Sequence, residues 1–461
     1  MKNLRLFFTC AACKIIHYVL RLLGRGGTAL PGSVALRLYP GIIEELSKGL
    51  VCIVVSGTNG KTTTSSMIRN MLPEQERSCI SNRSGANMTN GIAASFILET
   101  DFFGRRKKEK KYAVVECDEA FLFDISRALR PEIILVANIF RDQLDRYGEV
   151  SHIRDLLRKG IKAAPEATVC LNGDCPLTAT LGEEIPNKVL YFGVSTDLAS
   201  GREKSSDVPR CLRCGGMYEY RKRTFSHLGD WYCPACGARR PLPDVSVTAA
   251  FPDKEGTDIS FLCGDIEFDA RVSVPGTYNI YNAVSALSVL YALGADPSKT
   301  AERLGECRPP FGRMEEFELN GNAIKLMLAK NPEGMDRILE YLSMEKDPAM
   351  FVFALNDNYN DGTDISWIWD ADFEGFASES NKDNRYFTFG TRKRDMLLRL
   401  KYAGLDTEKI KLLDGENDLT VALSESETKV YIAANYTSML NIWDILNTTK
   451  GRGDRTKEKW N

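Results

Sequence analysis

Leu50-Val51-Cys52-Ile53-Val54-Val55-Ser56-Gly57-Thr58-Asn59-Gly60-Lys61-Thr62-Thr63-Thr64 is the stretch on which the fold turns. Its first half is a continuous β-branched run without polar alternation, the pattern of a strand buried on both faces. Its second half sets two glycines ahead of a lysine and three threonines, so it predicts a glycine loop opening into a helix. Glycines let backbone N–H groups turn inward, and the helix N-terminus adds positive potential. Lys61 is placed to reach terminal phosphates, and the Thr62 hydroxyl suits Mg²⁺. Gly57, Thr58, Asn59, Gly60, Lys61, Thr62 and Thr63 are therefore the candidate nucleotide-binding residues. The interval between the two glycines is shorter than in the general P-loop.

Working outward, residues 112–115 and 133–137 repeat the strand pattern, with 66–72, 92–99 and 153–163 reading as helices. Such alternation is the signature of a doubly wound parallel sheet. Near Gly201 the composition turns polar and leads into a cysteine-bearing stretch ending at Arg240, an expected insertion over about 207–240, before a β-rich run at 245–273. A helix over 282–293, closed by Gly294, precedes Pro309-Pro310-Phe311-Gly312, a hinge signal. Strands at 350–355, 386–389 and 429–433 then alternate with helices in a second, smaller α/β unit with a polar tail. The expected division is 1–48 as lead-in, 49–308 as central domain and 309–461 as C-terminal domain.

A chain of 461 residues exceeds what one core usually organises, in keeping with that division. Lys and Arg number 60 against 62 Asp and Glu, so no global field draws nucleic acid. Thirteen cysteines diluted along so long a chain fit a reducing, cytoplasmic setting better than a disulfide scaffold. No uncharged apolar run of about eighteen residues occurs, so no transmembrane span is expected. Residues 1–23 resemble a signal peptide at first sight, but Lys14, His17 and Arg21 interrupt them at helical spacing and no cleavage site follows. An amphipathic helix packed on the body is expected, with loose membrane contact as the alternative. The basic run 105–111 reads as a solvated loop, with contact to an anionic membrane as the alternative.

Cys211-Leu212-Arg213-Cys214 and Cys233-Pro234-Ala235-Cys236 have the spacing of a tetrahedral zinc site built from two knuckle turns, with Gly215, Gly216 and Gly237 supplying the turns. Four protein thiolates leave no place for water, so such a zinc is structural. Cys10 and Cys13, without a second pair, read as packing. After the strand at 350–355 the segment Asn356-Asp357-Asn358-Tyr359-Asn360-Asp361-Gly362-Thr363-Asp364-Ile365-Ser366-Trp367-Ile368-Trp369-Asp370 concentrates acids, amides and tryptophans at a strand end. Catalysis or partner contact is the favoured reading. A capped turn, or a calcium loop that lacks its closing glutamate, is the rival.

Gly57-Thr58-Asn59-Gly60-Lys61-Thr62-Thr63 resembles the loop of the Mur ligase family, ATP-dependent enzymes that join an amine to a carboxylate. Glu116, in Val114-Val115-Glu116-Cys117-Asp118-Glu119, matches the family's acidic residue for the nucleotide's Mg²⁺, a role suited to a carboxylate at a strand's C-terminal end. Asn279 and Asn282, in Gly276-Thr277-Tyr278-Asn279-Ile280-Tyr281-Asn282, resemble the family's adenine-side asparagines. Arg313 resembles its hinge arginine, and Lys330-Asn331-Pro332 its C-terminal Asn-Pro turn. Asp142-Gln143-Leu144-Asp145 departs from the family's Asp-His-Leu-Asp, removing a histidine that helps bind a second metal. Together with the cysteine pairs and the acidic segment, this makes the chain similar to the lipid II isoglutaminyl synthase branch of the family over nearly its full length. The resemblance implies a ligase subunit that works with a glutaminase of the GatD type and amidates the α-carboxylate of D-glutamate in lipid II through an acyl phosphate. It places the catalytic aspartate at Asp364 and puts the protein at the inner face of the membrane through its substrate. The alternatives are a self-sufficient Mur or folylpolyglutamate-type amino-acid ligase and a non-catalytic nucleotide-dependent scaffold.

Overall fold

The computed structural model describes residues 2–23, 29–82, 86–106, 110–140, 150–198, 208–253, 255–308 and 314–449. Among these, the residues up to 308 form one compact unit and those from 314 onward another.

The first unit is built on an eight-stranded sheet. Its strands are β1 (Val51–Ser56), β2 (Tyr112–Glu116), β3 (Ile133–Val136), β4 (Thr168–Asn172) and β5 (Val189–Val194), followed, after a separate hairpin of β6 (Glu219–Phe225) and β7 (Leu228–Tyr232), by β8 (Val245–Pro252), β9 (Thr257–Cys263) and β10 (Ile266–Val272). The order is β10-β9-β8-β5-β4-β3-β1-β2, parallel from β2 to β8 and antiparallel at β9 and β10. Cys52 to Ser56 are all buried, as expected of a strand with helices on both faces. β1 lies between β2 and β3, so the chain steps to one side of it and then the other. The switch point therefore falls at the carboxyl end of β1, where α/β sheets leave a crevice for ligands.

Three helices, Lys2–Leu22, Ala29–Leu38 and Ile42–Ser47, precede β1 and belong to this unit. Leu6, Thr9, Cys10, Cys13 and Lys14 form the buried side of the first helix, so it packs on the body. Lys14 enters the interior because its Nζ donates to the Thr100 carbonyl at 2.5 Å. The basic run at 105–111 departs in part from a solvated loop, since Lys110 is buried and ion-paired with Glu99 at 2.7 Å.

The second unit is a six-stranded sheet of β11 (Glu315–Leu319), β12 (Asn322–Leu328), β13 (Met350–Ala354), β14 (Arg385–Phe389), β15 (Ile410–Leu412) and β16 (Val430–Ala434). Its order is β11-β12-β16-β13-β14-β15, parallel except for the β11–β12 hairpin. Alternation along β13 feeds two cores, with Phe351 and Phe353 on one face and Met350, Val352 and Ala354 on the other. Each face is covered by helices, which explains the run of apolar residues without polar breaks.

On this sheet Glu345 Oε2 accepts the Tyr431 hydroxyl at 2.7 Å and the Lys429 ammonium at 3.0 Å. Burial pushes the carboxyl up, but these donors outweigh it and hold it at about 2, against an ordinary 4.5. A carboxylate depressed in the fold contributes stability above its unfolded value and loses it as pH falls from 4.5 towards about 2. Glu345→Gln should therefore remove on the order of 2 kcal/mol near neutrality and flatten the acid limb of urea unfolding. An acid limb as steep as that of the unaltered chain would contradict the assignment.

Candidate functional site

Two glycines shape the loop that leaves β1. Gly57 has φ +118° and Gly60 φ +84°. A Cβ on Gly57 would lie 2.7 Å from the Asn138 carbonyl oxygen, and one on Gly60 2.2 Å from Asn282 Oδ1. Conformation and space both require glycine at these positions. The helix Lys61–Met71 starts directly after Gly60, five residues ahead of the sequence expectation. Its first N–H groups therefore border the loop, the arrangement that favours phosphate.

The loop is fastened from neighbouring elements. The Asn59 N–H donates to Asn138 Oδ1 at 2.9 Å, and Asn138 Nδ2 donates back to the Asn59 carbonyl at 3.0 Å. From the helix Tyr278–Ala292, Asn282 Oδ1 accepts the Thr64 hydroxyl at 3.2 Å. Asn282 Nδ2 donates to Asn279 Oδ1 at 2.9 Å, and Asn279 Nδ2 to the Pro275 carbonyl at 2.7 Å. Asn279 and Asn282 are buried and their amides are taken up in holding the loop.

Two acidic residues at the end of β2 face the loop. The Thr62 hydroxyl donates to Glu116 Oε2 at 2.9 Å, placing an alcohol and a carboxylate oxygen together, the donor chemistry that Mg²⁺ takes. Asn82 clamps the Glu116 backbone, accepting its N–H at 2.9 Å and donating to its carbonyl at 2.7 Å. Lys61 Nζ lies 3.1 Å from Glu119 Oε1, with the two side chains 8% and 7% exposed, and donates to the Gly57 carbonyl at 2.5 Å. Glu119, Asn138 and Asn82 are the site residues that sequence reasoning missed. Glu119 stood in the same motif as Glu116, and Asn138 directly follows the strand read at 133–137, so position at a strand end was the available signal.

In the second unit the acidic segment divides into structural and exposed groups. Asp361 is buried; it accepts the Thr437 N–H at 2.7 Å and also the Thr437 hydroxyl. Asn356 and Asn358 donate to the same hydroxyl at 2.9 and 2.8 Å, so Thr437 is the post around which the strand-end loop is wound. Asp364 is exposed, and its Oδ1 accepts the Ser366 N–H at 2.8 Å, which holds its carboxyl below the usual range. Trp367 packs against the core, whereas Trp369 is exposed and lies edge-on to Tyr402. Asn331 caps the helix Pro332–Ser343 by accepting the Gly334 N–H at 2.8 Å. Arg313 and the 142–145 segment lie outside the described residues.

Cys211, Cys214, Cys233 and Cys236 converge with all four Sγ atoms within 4.8 Å of one another, the only such cluster of three or more Cys, His, Asp or Glu among the described residues. Two matching turns build the cluster. In one, Cys211 accepts the Gly215 N–H at 2.8 Å and donates its own to Gly216 at 2.6 Å; in the other, Cys233 accepts from Gly237 at 2.9 Å and donates to Ala238 at 2.7 Å. Burial pushes the Cys211 thiol up, but the Arg213 and Cys214 N–H groups and the Tyr218 hydroxyl outweigh it and hold it down at about 6. The β6–β7 hairpin beside the cluster is anchored to the main sheet. Trp231 Nε1 donates to the Gly173 carbonyl at 3.0 Å, and Arg240 is ion-paired with fully buried Asp174 at 2.6 Å.

Two family profiles match this chain, Mur ligase middle domain over residues 55–209 and MurT ligase C-terminal over 328–439. The MurT subunit of lipid II isoglutaminyl synthase (glutamine-hydrolyzing) from Streptococcus pneumoniae is 35% identical, covering 96% of this chain and 97% of that protein. The Staphylococcus aureus protein of the same description is 30% identical, covering 94% and 96%. Among solved structures, MurF from Acinetobacter baumannii superposes with a TM-score of 0.66 at 16% identity, over 92% of this chain and 81% of that one. Folylpolyglutamate synthase from Thermotoga maritima gives 0.57 at 15%, over 98% and 99%. These last two similarities establish the fold.

Proposed function

This chain belongs to the MurT family of Mur ligases, and on that premise we propose that it is the ligase subunit of a glutamine-hydrolysing lipid II isoglutaminyl synthase. In this reading it amidates the α-carboxylate of D-glutamate in the lipid II stem peptide, with ammonia delivered by a glutaminase subunit of the GatD type. The relatives' description as a subunit supports the need for a partner. The observation that carries the reading is the glycine loop at 57–60 and the helix start it opens into, with buried Lys61 at the junction and a hydroxyl–carboxylate pair beside it.

ATP is the phosphoryl donor. Residues 57–63 would cradle its phosphates, and Lys61 would exchange the Gly57 carbonyl for phosphate oxygens. Arg313 is assigned to phosphate, and Asn279 and Asn282 to holding the loop and the adenine side. Thr62 and Glu116 would hold Mg²⁺, which offsets charge on the transferring phosphoryl group. A carboxylate oxygen of the substrate attacks the γ-phosphorus, releasing ADP and leaving an acyl phosphate. Ammonia then adds to the acyl carbon, loses a proton, and phosphate departs with the carboxylate oxygen. Asp364 is assigned to the amine side of this second step. We take 1–48 as lead-in, 49–308 as the ATP-binding domain and 309–461 as the C-terminal domain, and place the enzyme in the cytoplasm at the membrane's inner face through its lipid-bearing substrate.

The four cysteines, gathered by paired turns, suit a structural zinc in a ribbon-like insertion over about 207–240. Purified chain should carry one zinc, and chelation or Cys233→Ser should lower its thermal midpoint. A metal-free chain that melts identically after chelation would contradict this. The function itself is tested by incubating the chain and its glutaminase with lipid II, ATP and glutamine. The product should show an amide in place of a hydroxyl by mass; an added amino-acid residue would point instead to a self-sufficient ligase.

A further inference from the structure

The first helix, Lys2–Leu22, carries an apolar stripe on the side turned away from the protein. Leu4, Phe8, Ile15, Tyr18, Val19 and Leu22 are 62%, 58%, 58%, 53%, 48% and 87% exposed. At about 100° per residue these six fall within an arc of about 100°, so they form one continuous face. The opposite side is buried and fastened through Lys14, which fixes the helix lengthwise on the surface. Beside it the loop at 101–106 adds Phe102 and Phe103, 48% and 63% exposed, with the Phe103 ring 5.2 Å from Phe7. Scattered exposed apolar residues are ordinary, but a continuous rimmed patch of this kind marks an interaction surface.

Charge names the occupant. From Met1 to Ile43 the sequence has six Lys or Arg and no Asp or Glu. Arg5 and Arg21, both exposed, flank the stripe on either side by helical position. Exposed Arg105 and Arg106 follow the two phenylalanines. Two copies of the chain meeting at this face would bring the same cations together, whereas anionic headgroups would neutralise them. No helix among the described residues is long and apolar enough to cross a membrane.

We propose that this helix and the adjoining Phe102–Phe103 loop dock the protein directly on an anionic lipid surface. The helix lies flat, with its apolar stripe at the headgroup–acyl boundary and its flanking arginines on lipid phosphates. This attachment is independent of lipid II and of the ligase reading. The test is co-sedimentation of the full chain with vesicles of equimolar phosphatidylglycerol and phosphatidylcholine, and with phosphatidylcholine alone, without lipid II. Binding is expected to the anionic vesicles only. It should fall about tenfold or more in Phe8→Glu/Ile15→Glu, fall in Arg21→Glu, and weaken at high salt. Tyr18→Trp should be quenched by brominated lipid in the anionic vesicles. No sedimentation with anionic vesicles, unchanged binding of the double variant, or no quenching of Trp at position 18 would overturn the proposal. So would a dimer dissolved by the double variant, which would assign the face to a second copy.

Discussion

Asp364→Asn will leave ATP binding intact and reduce amide formation by at least about 10²-fold, the scale of loss when a group acting on the transition state is removed. The side chain is exposed, its bond to the Ser366 N–H stays within its own turn, and it stabilises no core, so the substitution should not disturb folding. That bond holds the carboxyl below its ordinary range, so Asp364 is ionised at neutral pH and is a weak proton acceptor. Its contribution is therefore expected to be charge and orientation at the incoming amine more than general-base catalysis. Asp364→Glu keeps the charge and should recover part of the rate. Amide formation by Asp364→Asn at the original rate, measured by mass spectrometry with ATP binding followed in parallel, would refute the role.

Lys61→Met should lower both ATP affinity and turnover, with turnover falling about 10²- to 10³-fold, because a preorganised cation at the transferring phosphoryl group is lost. It should also destabilise the first unit. Lys61 and Glu119 are buried together at 3.1 Å, and removing one member of such a pair leaves an uncompensated charge at a cost of about 3–5 kcal/mol. The double variant Lys61→Met/Glu119→Gln separates the two effects. Its stability should recover towards that of the unaltered chain while turnover stays lost. Recovery of turnover along with stability would make Lys61 a structural residue and not a phosphate ligand.

Several features were legible because they are local. The uninterrupted apolar run at β1 announces a strand with two covered faces, and the glycines after it announce the loop. The cysteine spacing is a local property of two turns, and the structure brings the four thiols together. The helix start was placed late because Thr62, Thr63 and Thr64 are poor helix formers in isolation. In the fold, Gly60 in its left-handed conformation and the support of Asn282 override that preference. Glu119 and Asn138 escaped because strand order decides their neighbours, and nothing in the sequence states that β2 and β3 lie on either side of β1. Within the acidic segment, burial separates Asp361 from Asp364, and that burial depends on Thr437, 76 positions away. Lys110 stands in a run that reads as a solvated loop and is an interior cation, with the Glu99 carboxylate waiting as its acceptor.

The most direct measurement uses lipid II whose D-glutamate α-carboxylate is labelled with ¹⁸O, incubated with this chain, its glutaminase, glutamine and ATP. Activation through an acyl phosphate predicts that each amide formed is matched by one inorganic phosphate carrying a single ¹⁸O taken from the carboxylate. Unlabelled phosphate alongside amidated product, or hydrolysis of ATP with no amide at all, would contradict the account.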